Sequence, residues 1–242
     1  MTTTKTALVT GANRGIGHEI ARQLAESGHE VWLGSRDEKR GEEAAAKLRA
    51  KGHKVHVLPL DVTDDASVAQ AAKSLAAQTG KLDVLVNNAG IAEGFDYAPD
   101  EEPITNVKQV YEVNVFGPIR VTQAFVPLLK AASGAQVVMI SSELGSISAL
   151  LDTGSEFYGV NALGYNSSKT ALNAAVISFA KALEPHGIKV NAVDPGFTAT
   201  DMNGGQGYRS VAQAAEIPIA LANGKMNGVT AAFLNHNGTL GW

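Results

Sequence analysis

Short β-type runs alternate with Ala-rich helical stretches along nearly the whole chain, and few folds accommodate such a series. Strand candidates fall at residues 6–10, 30–35, 54–60, 82–87, 136–141, 189–193 and 230–234. Helix candidates fall between them at 15–27, 38–50, 65–79, 104–115, 118–131, 165–184 and 210–221. Strands separated by helices predict an α/β fold: a doubly wound sheet of about seven mainly parallel strands with helices on both faces. Some boundaries carry their own chemistry. Asp64 is placed to cap the helix after the third strand, Pro118 suits a first helical turn, and Gly187 follows the end of a long helix.

No repeat, low-complexity tract or block of like charge interrupts the series, so residues 1–242 read as a single domain. The irregular stretches are 91–103, 143–164 and 197–209. Each follows a strand, and open α/β sheets bind ligands at the carboxyl ends of their strands. These three loops are therefore the expected substrate loops. Lysine and arginine total 20 against 24 aspartates and glutamates, a net charge of −4, which excludes a basic footprint for nucleic acid or an anionic membrane. With no cysteine there is no disulfide, thiolate metal site or cysteine nucleophile. Histidines are scattered without ligand spacing, and no catalytic metal is expected. The opening MTTTKTALVTG lacks a signal-peptide core and no apolar run reaches the roughly 18–20 residues of a membrane span. The expectation is a cytoplasmic protein.

Directly after the first strand comes Thr10-Gly11-Ala12-Asn13-Arg14-Gly15-Ile16-Gly17, opening a helix. Glycines permit a tight turn and close approach of backbone to a pyrophosphate, while the helix N-terminus offers free N–H groups and partial positive charge. This turn, in a β-α-β unit, points to a Rossmann-type dinucleotide site.

The spacing T-G-x-x-x-G-x-G, with Asn87-Asn88-Ala89-Gly90 after the fourth strand, Asn114 in the next helix, Ser142 after the fifth strand, Tyr165-x-x-x-Lys169 opening a helix and Asp194-Pro195-Gly196 after the sixth strand, resembles the short-chain dehydrogenase/reductase family. These motifs stand in the family's order from residue 6 to about 200. The resemblance implies a nicotinamide cofactor held by Gly11, Asn13, Arg14, Gly15, Ile16, Gly17, Arg36, Asp61, Val62, Asn88, Ala89, Gly90, Tyr165, Lys169, Pro195, Gly196, Thr198 and Thr200. Asp61 resembles the family's adenine-contacting acid, with helix capping as its alternative role. In dinucleotide folds an acid at the end of the second strand selects NAD, whereas an arginine accommodates the 2′-phosphate of NADP. That place falls on Ser35, followed by Arg36, with Arg14 in the glycine turn. NADP(H) is expected over NAD(H), with Asp37 as the acid if the strand boundary slips, and solvated surface charge as the other reading of both arginines.

Tyr165 and Lys169 are four apart on a predicted helix and emerge on one face. A free tyrosine titrates near 10, and a nearby ammonium is expected to lower that value toward the range useful for acid catalysis. By the resemblance, Tyr165 donates the proton during carbonyl reduction, Ser142 holds the carbonyl oxygen, Lys169 tunes Tyr165 and grips the nicotinamide ribose, and Asn114 holds a water in the proton path. Ser141 competes with Ser142, but only one of two neighbouring strand residues can face the cleft, and S-x-x-G fits Ser142. Tyr158 has Ala162 at the fourth position and no lysine partner.

Ser142 and Tyr165 lie 23 residues apart, more than the family usually shows. The extra segment, together with the C-terminal AAFLNHNGTLGW, resembles in smaller form the carbonyl-reductase-like branch. It reads as either a short helix or a loop, and monomer and homo-oligomer both stay open. Gly204, Gly205 and Gly207 make 197–209 a candidate lid. Phe95, Tyr97, Leu151, Phe157 and Met202 are candidate walls of a pocket with few charges, suited to an uncharged carbonyl or alcohol. The leading expectation is NADPH-dependent reduction of a ketone or aldehyde. Its rivals are NAD(P)-dependent oxidation of a secondary alcohol and a non-catalytic NADP(H) sensor.

Overall fold

The computed structural model describes residues 4–226 and 228–242; the first three residues, at the start of the N-terminal reading, and Asn227 lie outside the described residues. The chain runs β1 (Thr6–Val9), α1 (Gly15–Glu26), β2 (Glu30–Ser35), α2 (Glu38–Arg49), β3 (Val55–Pro59), α3 (Asp65–Thr79), β4 (Val84–Asn87) and α4 (Ile104–Tyr111). It continues through α5 (Gly117–Ala131), β5 (Gln136–Ile140), α6 (Ile147–Leu151), α7 (Leu163–Leu183), β6 (Lys189–Val193), α8 (Val211–Ala214), α9 (Glu216–Ala222), β7 (Phe233–Asn235) and β8 (Gly238–Thr239). The strands form one sheet in the order β3-β2-β1-β4-β5-β6-β7-β8, parallel except for β8.

Period-two alternation along these strands feeds two apolar layers. Leu8, Leu85, Val137 and Val190 pack with Leu75, Phe125 and Val176 of α3, α5 and α7 on one face. Val9, Val86, Val138 and Val193 pack with Ile20, Leu48 and Leu221 of α1, α2 and α9 on the other. β1 lies between β2 and β4, so the strand order reverses there and a crevice opens beyond the carboxyl ends of β1 and β4. The glycine turn and Asn88-Ala89-Gly90 meet in that crevice.

Departures from the sequence pattern have local causes. The helix expected over 104–115 is α-helical only to Tyr111; Glu112–Phe116 is π-helical and leads straight into α5. The helix expected over 210–221 is broken at Ala215, because Pro218 has no N–H for the carbonyl of Ala214 and fits only a first turn. The strand expected at 230–234 begins at Phe233, since side chains stand in for ladder partners before it: Thr230 Oγ1 accepts from Val190 N (3.1 Å) and Asn191 Oδ1 from Ala232 N (3.1 Å). An eighth, antiparallel strand of two residues follows a tight turn at His236-Asn237, with Gly238 at φ 126°. Residues 143–164 include the short helix α6, held to the chain end by Ser146 Oγ donating to Gly241 O (2.7 Å).

His29, in the turn between α1 and β2, is buried, with Nδ1 against Leu24 O at 3.2 Å and Nε2 without a partner. Burial lowers its pKa below the ordinary 6.5, so the folded protein favours the neutral ring and the unfolded chain takes up the proton first. Stability should therefore be full above about pH 6.5 and decline as pH falls below it. Thermal melts of wild type and His29→Gln between pH 5 and 8 check this. An equally steep acid decline in the variant would remove His29 as a source.

Candidate active site

Two loops make the floor of the crevice and stitch each other in place. Thr10 Oγ1 accepts from the N–H groups of Asn88 and Ala89, both at 3.0 Å. Asn88 Nδ2 returns bonds to Thr10 O (3.0 Å) and Gly11 O (3.2 Å). The Asn88 side chain is thus spent on shaping the glycine turn. Gly17 is required for the same reason, since a Cβ there would sit 2.3 Å from Asn88 Nδ2. Gly11 and Gly15 have φ of 62° and 58°, a region that side-chain-bearing residues avoid. α1 starts at Gly15 with no side-chain cap and no acid in its first turn, so its leading N–H groups are left for an anion. This chemistry fits a dinucleotide pyrophosphate.

At the far end of the cleft, β2 ends at Ser35 as its pattern predicts. Ser35 is buried and its hydroxyl donates to Asp37 O at 2.7 Å. Asp37 caps α2 through Arg40 N (3.0 Å) and pairs with Arg40 Nε (3.3 Å), which leaves it a structural role. Arg14, Arg36 and Arg40 all line the cleft. Arg40 was not singled out in the sequence; its position one turn into α2, three residues after the capping Asp37, is the signal that would have found it. Arg14 also lies 3.7 Å from Asp201 in the loop opposite, both exposed. Asp61 turns its carboxylate to Thr63 N and Oγ1 (3.0 and 2.7 Å), while Asp64 caps α3. Asp61 and Val62 line the cleft as expected, and helix capping is not the role of Asp61.

The middle of the cleft gathers Gly90, Tyr165 and Lys169. Lys169 is buried, its Nζ donating to Ile140 O (2.9 Å) and lying 5.6 Å from the Tyr165 ring centre. Burial pushes the Tyr165 phenol up to about 12, against an opposing hydrogen-bond contact with Ser142, and pushes the Lys169 ammonium down to about 8. The acidified tyrosine expected from the Tyr/Lys spacing is therefore not what the chain alone produces: desolvation, with the Asp194 carboxylate, outweighs the opposing contact of Ser142. Near neutral pH the pair is phenol and mostly ammonium. Ser141 lines the cleft but is buried with its hydroxyl donated to Asn173 Oδ1 (2.6 Å); Ser142 lies outside that lining, its Oγ accepting from Leu144 N at 3.3 Å, near enough to Tyr165 to oppose the upward shift of the phenol. Asn114 sits in the π-helical stretch, off the cleft lining, with its amide committed: Nδ2 donates to Ile91 O (2.9 Å) and Ser168 Oγ (3.1 Å), and Oδ1 accepts from Ile91 N (2.9 Å).

Past β6, Pro195 and Thr200 line the cleft while Gly196 and Thr198 do not. Thr198 is buried, its hydroxyl turned to Pro195 O (3.2 Å) and Gly196 O (2.9 Å). Gly196 gives room to Arg209, whose Cδ would be 2.5 Å from a Cβ there. Arg209, unremarked in the sequence, ties this segment together by donating Nε to Pro195 O (3.1 Å) and Nη2 to Gln213 O (2.8 Å). The neck of loop 197–209 is closed by Ala199 N to Arg209 O and Arg209 N to Phe197 O.

Phe95 packs on the Tyr165 ring at 5.3 Å. Tyr97, Leu151 and Met202 are exposed, and of the three only Met202 lines the cleft. A second cavity, beside Ser142, is lined by Glu143, Asp152, Glu156 and Asp194 together with Phe157 and Tyr208. The pocket with few charges read from the sequence is thus corrected on this side: loops distant in the chain bring four carboxylates together. Among the described residues no group of three His, Cys, Asp or Glu side chains is arranged to hold a metal ion, and no helix is long and apolar enough to cross a membrane.

The family model described as short chain dehydrogenase matches residues 5–209. The chain is 36% identical to the (+)-neomenthol dehydrogenase of Arabidopsis thaliana, covering 91% of this chain and 92% of that one. It is 32% identical to the (−)-isopiperitenone reductase of Mentha piperita, covering 89% and 91%. Among solved structures, the NADPH-bound carbonyl reductase from chicken fatty liver superposes with a TM-score of 0.85 at 33% identity over 99% of both chains. With its glycine turn at the strand-order reversal, half-buried Tyr165 beside buried Lys169 in the cleft, and this likeness along nearly the whole chain, the protein belongs to the short-chain dehydrogenase/reductase family of oxidoreductases.

Proposed function

We propose that the protein reduces ketones or aldehydes to alcohols with NADPH, and runs the same groups in reverse on alcohols. The observation that carries this reading is the placing of half-buried Tyr165 beside buried Lys169, whose Nζ lies 5.6 Å from the phenol ring centre, in a cleft whose far end presents Arg14, Arg36 and Arg40. NADPH supplies the hydride when bound. The glycine turn and the leading N–H groups of α1 hold its pyrophosphate, the three arginines its 2′-phosphate, and Lys169 the ribose near the reacting end. Ser142 and Tyr165 donate hydrogen bonds to the carbonyl oxygen as negative charge develops on it, and Tyr165 gives up its proton. Burial keeps the phenol protonated at neutral pH, so it holds its proton until charge develops on the carbonyl oxygen. The amide of Asn114 is already satisfied, so its part in a proton path falls to its backbone carbonyl and a water there.

The second reading, a sensor without chemistry, would leave a buried lysine and phenol to no purpose. The NADP-bound relatives, among them the chicken carbonyl reductase and a gluconate 5-dehydrogenase from Burkholderia cenocepacia, support the cofactor assignment.

The carboxylates of the second cavity disfavour anionic substrates and leave uncharged or cationic carbonyls as the expected class, of which the uncharged are tested first. A panel of neutral ketones and aldehydes (menthone, acetophenone, benzaldehyde) with carboxylated counterparts, followed as NADPH oxidation, tests both points. Turnover is expected with neutral compounds and to be at least about tenfold weaker with carboxylated ones, a penalty of about 1.4 kcal/mol. Turnover confined to the anionic compounds would overturn the substrate class. Turnover with none, or only with NADH, would overturn the activity or the cofactor.

A further inference from the structure

α7 carries both Tyr165 and Lys169, yet its own N-cap, Ala162, offers no side chain to the free N–H groups of the first turn. The cap comes from elsewhere in the chain. Glu102, in the substrate loop 91–103, accepts from Gly164 N through Oε2 at 2.9 Å, one residue before Tyr165. Its other oxygen accepts from Asn106 Nδ2 of α4 at 2.6 Å. A carboxylate at this position also meets the positive end of a 21-residue helix.

Two glycines are shaped around this one carboxylate. A Cβ on Gly164 would lie 2.6 Å from Glu102 Oε1, and a Cβ on Gly94 would lie 2.3 Å from the same atom. Gly94 has φ 92° and is followed by Phe95, whose ring packs on Tyr165. The immediate chain neighbours of both rings, Gly94 before Phe95 and Gly164 before Tyr165, therefore rest on Glu102. Among the described residues, no other side chain of the loop bonds to the start of α7.

We propose that Glu102 is a positioning residue for Tyr165: it joins the substrate loop to the N-terminus of the catalytic helix, so that the phenol and the loop that covers the substrate are set by one carboxylate. This rests on the reading of Tyr165 as the proton donor. Glu102 touches neither the cofactor cleft nor the reacting atoms. Its removal should act on the chemical step and leave the cofactor end alone.

The test uses the full-length protein as wild type, Glu102→Ala, Glu102→Gln, Gly164→Ala, Glu102→Ala/Gly164→Ala and Tyr165→Phe. The measurements are kcat and KM with the neutral carbonyl from the panel that wild type reduces fastest, NADPH affinity by fluorescence titration, and Tm. Glu102→Ala is expected to lower kcat about tenfold or more, as a small misplacement of a reacting group does, with NADPH affinity unchanged. Glu102→Gln should recover part of the loss, because its amide oxygen can still accept from Gly164 N. Gly164→Ala alone should lower both kcat and Tm, since its Cβ meets the carboxylate; in the Glu102→Ala background it should cost neither, because the clash is gone and alanine suits a helix. Wild-type kcat in Glu102→Ala, equal loss of kcat and NADPH affinity, or additive effects of the two substitutions would each overturn the proposal. If Tyr165→Phe itself kept wild-type turnover, the proton-donor reading would fail instead, and the coupling of Glu102 to Gly164 in Tm would still be decided by the double variant.

Discussion

Replacing Tyr165 by Phe is expected to reduce carbonyl turnover by ~10²–10⁴-fold, the usual contribution of a positioned proton donor, while leaving NADPH affinity and Tm close to wild type. The substitution removes one hydroxyl and keeps the ring, so the packing of Phe95 on residue 165 survives. The fold also has little to lose electrostatically. The phenol is neutral near physiological pH and no side-chain hydrogen bond among the described residues depends on its hydroxyl, so exchanging that hydroxyl for hydrogen removes little that holds the fold. Steady-state kinetics with NADPH, fluorescence titration of the cofactor and a thermal melt check the three parts. Retained turnover would remove Tyr165 from the mechanism. Lost turnover with lost NADPH affinity would mean that the residue supports the cofactor site instead.

Arg36→Asp is expected to reverse the cofactor preference. Arg36 is exposed at the mouth of the cleft and pairs with no carboxylate among the described residues, so its charge is available to a phosphate, whereas Arg14 and Arg40 are each shared with an aspartate. Loss of a charge-assisted contact of this kind costs about 1.5–3 kcal/mol, roughly 10- to 100-fold in kcat/KM for NADPH. The new carboxylate adds repulsion toward the 2′-phosphate and offers a hydrogen-bond acceptor to the 2′-hydroxyl of NADH. The ratio of kcat/KM for the two cofactors should therefore fall by more than the single lost contact. Stability should stay near wild type, since the side chain is exposed and holds nothing else. An unchanged ratio would make Arg36 a solvated surface charge and leave the selection to Arg14 and Arg40.

Much of the architecture was legible in the chain because it is written in local terms. Strand β2 and helix α3 begin and end where their patterns say, since a buried apolar run and Asp64 as cap are short-range signals. Legibility failed where a partner from far along the chain decides the conformation. The π-helical stretch after Tyr111 keeps Asn114 against Ile91, and periodicity alone does not distinguish it from a continued α-helix. The start of β7 moved because Thr230 and Asn191 side chains take the place of ladder partners. The tyrosine was expected to be acidified by its lysine, yet burial, which no spacing reveals, pushes it the other way.

The candidate site divides along the same line. Gly11, Gly15, Tyr165 and Lys169 were identifiable from spacing on a turn and on one helical face, and the structure brings them to one cleft. Asn88, Gly196 and Thr198 came from the same motifs, but their side chains or their missing Cβ serve the neighbouring backbone and Arg209. Arg40, Arg209 and Glu102 act across gaps of sequence and carried no motif.

The sequence by itself determined the α/β class, the order of its elements and the family, because alternating periodicities, glycine turns and helical spacing are properties of neighbouring residues. Only the tertiary structure decided that Arg40 joins Arg14 and Arg36 in the cleft, that four carboxylates line the cavity beside Ser142, and that Glu102 caps the catalytic helix. Those are questions of distance and burial between segments far apart in the chain. The free energy of a charge or a hydrogen bond depends on that surrounding, which the order of residues does not state.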